Sequence, residues 1–220
     1  LKGGRAHNII PREAEACFFL PSSQIKQLES ISEEIYGRWC SYLPAEDEKI
    51  EIILEELQEG TQEGTQEGVQ EGPQQVLTAA EKQKILSLIL LFPHGAHKYN
   101  LQSPDDLVAL SSNLATVIVQ EKDFYLQTSL RFLAKEELPP LVKTVKSLAQ
   151  TFQFEIKEGV GYPGWSPIFQ NSLLDLVKVE FAKAYGHEPQ VKAIHAGLEC
   201  GILREKMGPI DIVSFGPTIE

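Results

Sequence analysis

The chain has 220 residues and a mass of 24.5 kDa, with 42% hydrophobic and 23% charged residues, which suits one large folded domain or two small ones and excludes a chain disordered throughout. Its 20 basic and 31 acidic side chains leave a net charge of −11, which repels a phosphate backbone and argues against a nucleic-acid partner. The longest apolar run, Ile85 to Phe92, is interrupted by Ser87 and stopped by Pro93, well short of the roughly 20 residues that span a bilayer, so no membrane partner is expected.

In chain order, Ala14 to Leu20 is a short apolar run between Pro11 and Pro21 and reads as a strand. After Pro21, Ile25, Leu28, Ile31, Ile35 and Trp39 recur at spacings of three and four, the pattern of an amphipathic helix to about Tyr42. Ile50, Ile53, Leu54 and Leu57 suggest a second helix. Thr78 and Glu81 have the spacing of a capping box opening a third, which runs through Leu91 and stops at Pro93. Leu114 to Gln120 and Phe124 to Leu133 are strand-like runs joined by Glu121-Lys122-Asp123, a hairpin. Leu138, Leu141, Val142, Val145, Leu148 and Phe152 mark another helix, followed by a strand at Phe154 to Lys157. This order predicts a split βαβ sandwich of the α+β class.

An acidic segment is inserted in its first crossover. From Glu46 to Glu71 there are ten acidic residues and one basic one, Lys49, so most of the net charge lies here. Four copies of a Gln-Glu-Gly-x repeat run from Gln58 to Pro73. A glycine every fourth residue costs about 1 kcal/mol each in a helix, and the repeat has almost nothing apolar to bury, so about 46–76 is expected to be a flexible insertion. It lacks the aspartate-rich alternation of calcium-binding loops.

A change of composition follows at Gly159-Val160-Gly161-Tyr162-Pro163-Gly164-Trp165-Ser166-Pro167, dense in glycine, proline and aromatics. Beyond it, Ser172 to Tyr185 reads as a helix closed by Gly186, Gln190 to Ile194 as a strand, Leu198 to Lys206 as a short helix and Ile210 to Phe215 as a second strand. This α/β tail is too short to be a complete domain. The chain also opens on Leu1 and has Met207 as its one methionine, so it is expected to be part of a longer protein. Cys17, Cys40 and Cys200 are too scattered for a disulfide framework or a zinc knuckle, which fits a reducing cytoplasm.

Few constellations carry chemistry. His94 and His97 have a two-residue gap but sit in what reads as a proline-terminated loop, with no acidic or cysteine ligand near them before Asp105. The acidic pairs Glu33-Glu34, Glu55-Glu56, Asp105-Asp106 and Glu136-Glu137 read as solvated helix faces and helix starts. Arg131 stands out. Alternation puts it on one strand face with Tyr125, Gln127, Ser129 and Leu133, where its planar fork could take a carboxylate or simply face solvent. In Ile194-His195-Ala196-Gly197-Leu198-Glu199-Cys200-Gly201, glycines bracket a strand-to-helix turn of the kind at which α/β sheets bind ligands, and a structural histidine with a helix-start glutamate fits the same residues.

Several motifs, in order along the whole chain, resemble one family. They are Gly3-Gly4, Asn8-Ile9-Ile10-Pro11-Arg12-Glu13-Ala14, Tyr162-Pro163-Gly164-Trp165, His195 to Gly201, and Asp211-Ile212-Val213-Ser214-Phe215-Gly216-Pro217-Thr218-Ile219. More loosely, His94-Gly95, Ser111-Ser112-Asn113-Leu114-Ala115 and Ser129-Leu130-Arg131 are similar to the lid motifs of that family. The resemblance is to the aminoacyl-histidine dipeptidases, cytoplasmic bacterial metallopeptidases related to carnosinases and to succinyl-diaminopimelate desuccinylase. It implies a ferredoxin-like lid and dimerisation domain at 1–158, followed at 159–220 by an incomplete α/β portion of a zinc-peptidase catalytic domain. The acidic repeat has no counterpart in it. The resemblance further implies a dipeptide substrate, a homodimer formed through the lid, and two zinc ions in the intact enzyme, with no metal ligand and no general base carried over to this chain, which is expected to be inactive alone. Arg131 then corresponds to the lid arginine that binds a substrate carboxylate, Asn113 to a lid asparagine near it, and Gly197, Glu199 and His195 to the loop across the cleft. A non-catalytic binding or oligomerisation module, or a related zinc aminoacylase or carboxypeptidase, is the alternative.

Overall fold

The computed structural model describes residues 1–43, 50–56, 77–101, 107–119, 123–168, 170–193 and 199–216. The chain divides into two compact units, one made of Leu1–Ala14 and Ala79–Glu220, the other of Glu15–Thr78. The acidic repeat, the Asp105-Asp106 pair, the tip of the expected hairpin at 120–122 and the turn at 194–198 lie outside the described residues.

The first unit is a mixture of helices and antiparallel sheet. Its elements include β1 (Lys2–Gly3), β2 (Ala14–Glu15, at the boundary), α2 (Ala79–Leu91), β3 (Gly95–Asn100), β4 (Leu107–Val119), β5 (Phe124–Phe132), α3 (Leu138–Thr151), α4 (Ser172–Tyr185) and α5 (Glu199–Met207). Among the described residues five strands form one sheet, with the 13-residue β4 at its centre. β5 runs antiparallel along one side of β4, from Val119↔Phe124 to Leu110↔Phe132. The other side is shared: β3 pairs with Leu107 to Ser112, and β1 with Val117 and Ile118. Ile85 and Leu88 of α2, Phe92, Leu107, Leu110 and Ala115 of β4, Leu133, Leu141 of α3 and Leu174 of α4 are the buried apolar side chains.

Two of these strands differ from the sequence expectation. β4 starts seven residues earlier than Leu114, because Ser111-Ser112-Asn113 is strand interior and not loop. Ser112 survives there because its hydroxyl is satisfied: it is 3% exposed, donates from Oγ to the Pro93 carbonyl at 2.7 Å and lies 2.7 Å from His97 Nε2. Of the segment read as a loop around His94 to His97, the residues from Gly95 onward belong to the edge strand β3, made by pairing with β4.

The helices expected through Leu91 and from Leu138 are present. α3 opens with Pro139 and Pro140 in its first turn, where the missing N–H groups cost nothing. The strand expected at Phe154 to Lys157 is absent. Gln153 takes a φ of 58°, and the Phe154 N–H bonds back to the Ala149 carbonyl at 2.8 Å, so this stretch closes the helix. The Phe154 ring packs 5.0 Å from that of Phe124, with Lys84 Nζ 4.7 Å above it. α4 ends at Gly186 as read, and its start is capped by Asn171 Oδ1, which accepts from the Leu174 N–H. The expected strands at 190–194 and 210–215 are not strands in their described residues, and a strand requires a neighbour that takes its backbone groups.

In the second unit the helix predicted after Pro21 is present as α1 (Ile25–Cys40), entered through a short 3-10 turn at Ser22–Gln24. The helix expected from Ile50 is absent over 50–56. Glu51 and Glu55 would repel one another one turn apart, and Ile53 and Leu54 are exposed and bury nothing. Of the strand expected from Ala14 to Leu20 only Ala14–Glu15 forms; Phe18 and Phe19 are exposed.

Candidate functional site

Two of the residues singled out in the sequence meet on the sheet. The register pairs Ser111 with Arg131 and Asn113 with Ser129, so these four residues share one face at the β4–β5 ladder. Across that face runs the connection between β1 and β2. Asn113 Nδ2 donates to the Ile9 carbonyl at 2.8 Å, and an Arg131 terminal nitrogen donates to the Asn8 carbonyl at 3.2 Å. Two side chains from adjacent strands thus hold successive carbonyls of one turn. Asn113 Oδ1 is buried and has no hydrogen-bond partner among the described residues.

The connection is built stiffly. Gly4 has a φ of +72°, and a Cβ there would overlap the Ala115 carbonyl oxygen, so only glycine lets the chain lie this close to β4. Gly4 N–H bonds the Glu13 carbonyl at 3.2 Å, and Ile9 N–H the Ala6 carbonyl at 3.3 Å. Arg5 and Glu13 form a two-pronged ion pair across the base of the loop. The hydrogen bonds that Arg5 donates to Glu13, and then the Glu13 charge, hold the Arg5 guanidinium above its ordinary pKa.

Two histidines border this region, and hydrogen bonding fixes what each can do. His94 Nδ1 accepts from the Leu114 N–H at 3.0 Å, so its ring proton is on Nε2. The Ser112 hydroxyl spends its proton on Pro93, so it accepts from His97 Nε2. That polarity is the reverse of an activated serine, which gives its proton to the ring. Ser112 is therefore a structural link and not a nucleophile.

Glu199 is exposed at the start of α5, two residues before the buried Gly201. A Cβ on Gly201 would lie 2.6 Å from the Pro163 carbonyl, and one on Gly164 would lie 2.5 Å from the carbonyls of Phe132 and Leu133. Ser166 Oγ donates to the Leu133 carbonyl at 3.1 Å. The glycine-proline segment therefore joins α5 to the end of β5 that carries Arg131. Gly197 and His195 fall outside the described residues.

Sequence reading assigned no role to Asn8 or Ile9, because each contributes a backbone carbonyl, which every residue has. Both lie in the motif Asn8 to Ala14 that carries the resemblance, which says nothing of their carbonyls. Among the described residues no three His, Cys, Asp or Glu side chains gather as a metal ion would require. On this face the Asn113 amide and the Arg131 guanidinium are side-chain donors, and each holds a carbonyl of the loop.

No family model matches the chain. Among curated proteins, the cytosol non-specific dipeptidase of Escherichia coli (strain K12) is 24% identical over 217 residues, 99% of this chain and 42% of that protein. Among solved structures, the crystal structure of aminoacylhistidine dipeptidase from Vibrio alginolyticus has a TM-score of 0.79 and 26% identity, covering 100% of this chain and 42% of that one. The chain thus spans about two fifths of the length of these relatives. No helix among its described residues is long and apolar enough to cross a membrane.

Proposed function

From the premise that this chain is a relative of the aminoacylhistidine dipeptidases along its whole length, we propose that it is the substrate-binding part of a cytoplasmic dipeptidase acting on Xaa-His or similar dipeptides. Residues 1–158 act as a ferredoxin-like lid that pairs two copies, and 159–220 return to the catalytic domain. Arg131 takes the substrate carboxylate, with Asn113 beside it and Gly197, Glu199 and His195 across the cleft. The observation that carries this reading is the placement of Arg131 and Asn113 on one sheet face, at positions where the sequence resembles the lid motifs of the family.

Hydrolysis is proposed for the intact enzyme. Two zinc ions there would activate water, and none of the described residues of this chain is assigned to hold them. The contribution of the chain is positioning: an arginine fork fixes the carboxylate end of the dipeptide and so aligns its peptide bond. Dipeptide hydrolysis by the intact protein tests this. Arg131→Ala is expected to raise KM about 10- to 100-fold, as for loss of a charge-assisted hydrogen bond. An unchanged kcat/KM in that variant would remove Arg131 from the site, and an intact protein that hydrolyses no dipeptide would remove the activity itself.

A further inference from the structure

We infer that Asn113 is a positioning residue for Arg131 and not itself a substrate contact; this rests on the reading of Arg131 as the carboxylate-binding group. The amide orientation of Asn113 is settled by its neighbour. Turned over, it would set Oδ1 against the Ile9 carbonyl, acceptor against acceptor, so the nitrogen faces the loop. Oδ1 is buried, out of reach of a ligand, and without a partner among the described residues. An unpaired buried acceptor is a cost that this arrangement tolerates.

What that cost maintains is the turn at Asn8 and Ile9. The Ile9 carbonyl is held by Asn113 and the Asn8 carbonyl by Arg131, so the two anchors are one residue apart on the same stiff segment. An arginine side chain has large rotamer freedom, and a fixed carbonyl beside its terminal nitrogen removes much of it before a ligand arrives. Asn113 fixes the turn, the turn orients the guanidinium, and the guanidinium meets the carboxylate.

The experiment compares, in the intact protein, a dipeptide with a free carboxylate and the same dipeptide as its C-terminal amide. Asn113→Ala is expected to lower the preference for acid over amide about tenfold, mainly through KM on the acid. In the Arg131→Ala background the same change lowers it no further, since the two act in series. Asn113→Asp, which sets a carboxylate against the Ile9 carbonyl, loses at least as much as Asn113→Ala, whereas a direct contact made through Oδ1 would survive it. The amide reaction doubles as a control for folding. Equal losses on acid and amide, additive losses in the double variant, or a preference retained by Asn113→Asp would each overturn the inference. An intact protein that shows no preference for the acid overturns the reading of Arg131, and the role of Asn113 with it.

Discussion

A single methyl group at position 4 would disturb the whole polar face. The Gly4 backbone lies against the Ala115 carbonyl with positive φ, so alanine there meets both a conformational penalty and an overlap with backbone that cannot rotate aside. Gly4→Ala is expected to cost about 2–4 kcal/mol, measured as a shift of the denaturation midpoint. The loss should spread beyond the residue, because Gly4 is the hinge from which the connection to Ala14 folds over Asn113 and Arg131. By contrast, the Arg5–Glu13 pair is exposed and contributes order at the loop base more than stability.

Helix ends decide the elements in this chain as much as their apolar stripes do. α3 closes with Gln153 in the left-handed region, where glycine is at ease and a longer side chain is strained. Gln153→Gly is expected to stabilise the unit by ~0.5–1 kcal/mol, read as a raised melting temperature, with Phe154 still stacked on Phe124. The helices α1, α2, α3 and α4 were legible because their signals are local: apolar residues three and four apart, and Gly186 after α4. The strands were less so. Phe154 to Lys157 has the composition of a strand, but its first N–H is taken by Ala149, and nothing in the four residues announces that. Ser111-Ser112-Asn113 has the composition of a loop, yet Pro93 and His97 supply the partners that let it run through the sheet. Arg131 was found because alternation isolates it on a polar face. Its partner, the Asn8 carbonyl, carries no side-chain signature at all.

At the scale of the whole molecule the sheet is assembled from near and far pieces of chain. β4 and β5 are close in sequence, as are β3 and β4, while β1 reaches β4 from the other end of the unit, past the entire segment from Glu15 to Thr78. The side-chain bonds at the polar face bridge 104 residues for Asn113 to Ile9 and 123 for Arg131 to Asn8. Closing loops of that length is entropically expensive and brings its return late, so the local β3–β4–β5 meander is the natural nucleus and the amino-terminal strand docks last. Asn113→Ala should therefore leave the refolding rate nearly as it was and accelerate unfolding, which stopped-flow measurement of both limbs would show. The consequence reaches past kinetics. While the polypeptide is still growing or newly released, the meander can already be formed with the β1 side of β4 bare, a strand edge open to another chain. The two residues of β1 are thus a closing clasp, and the polar face that orients Arg131 comes into being only when that clasp engages.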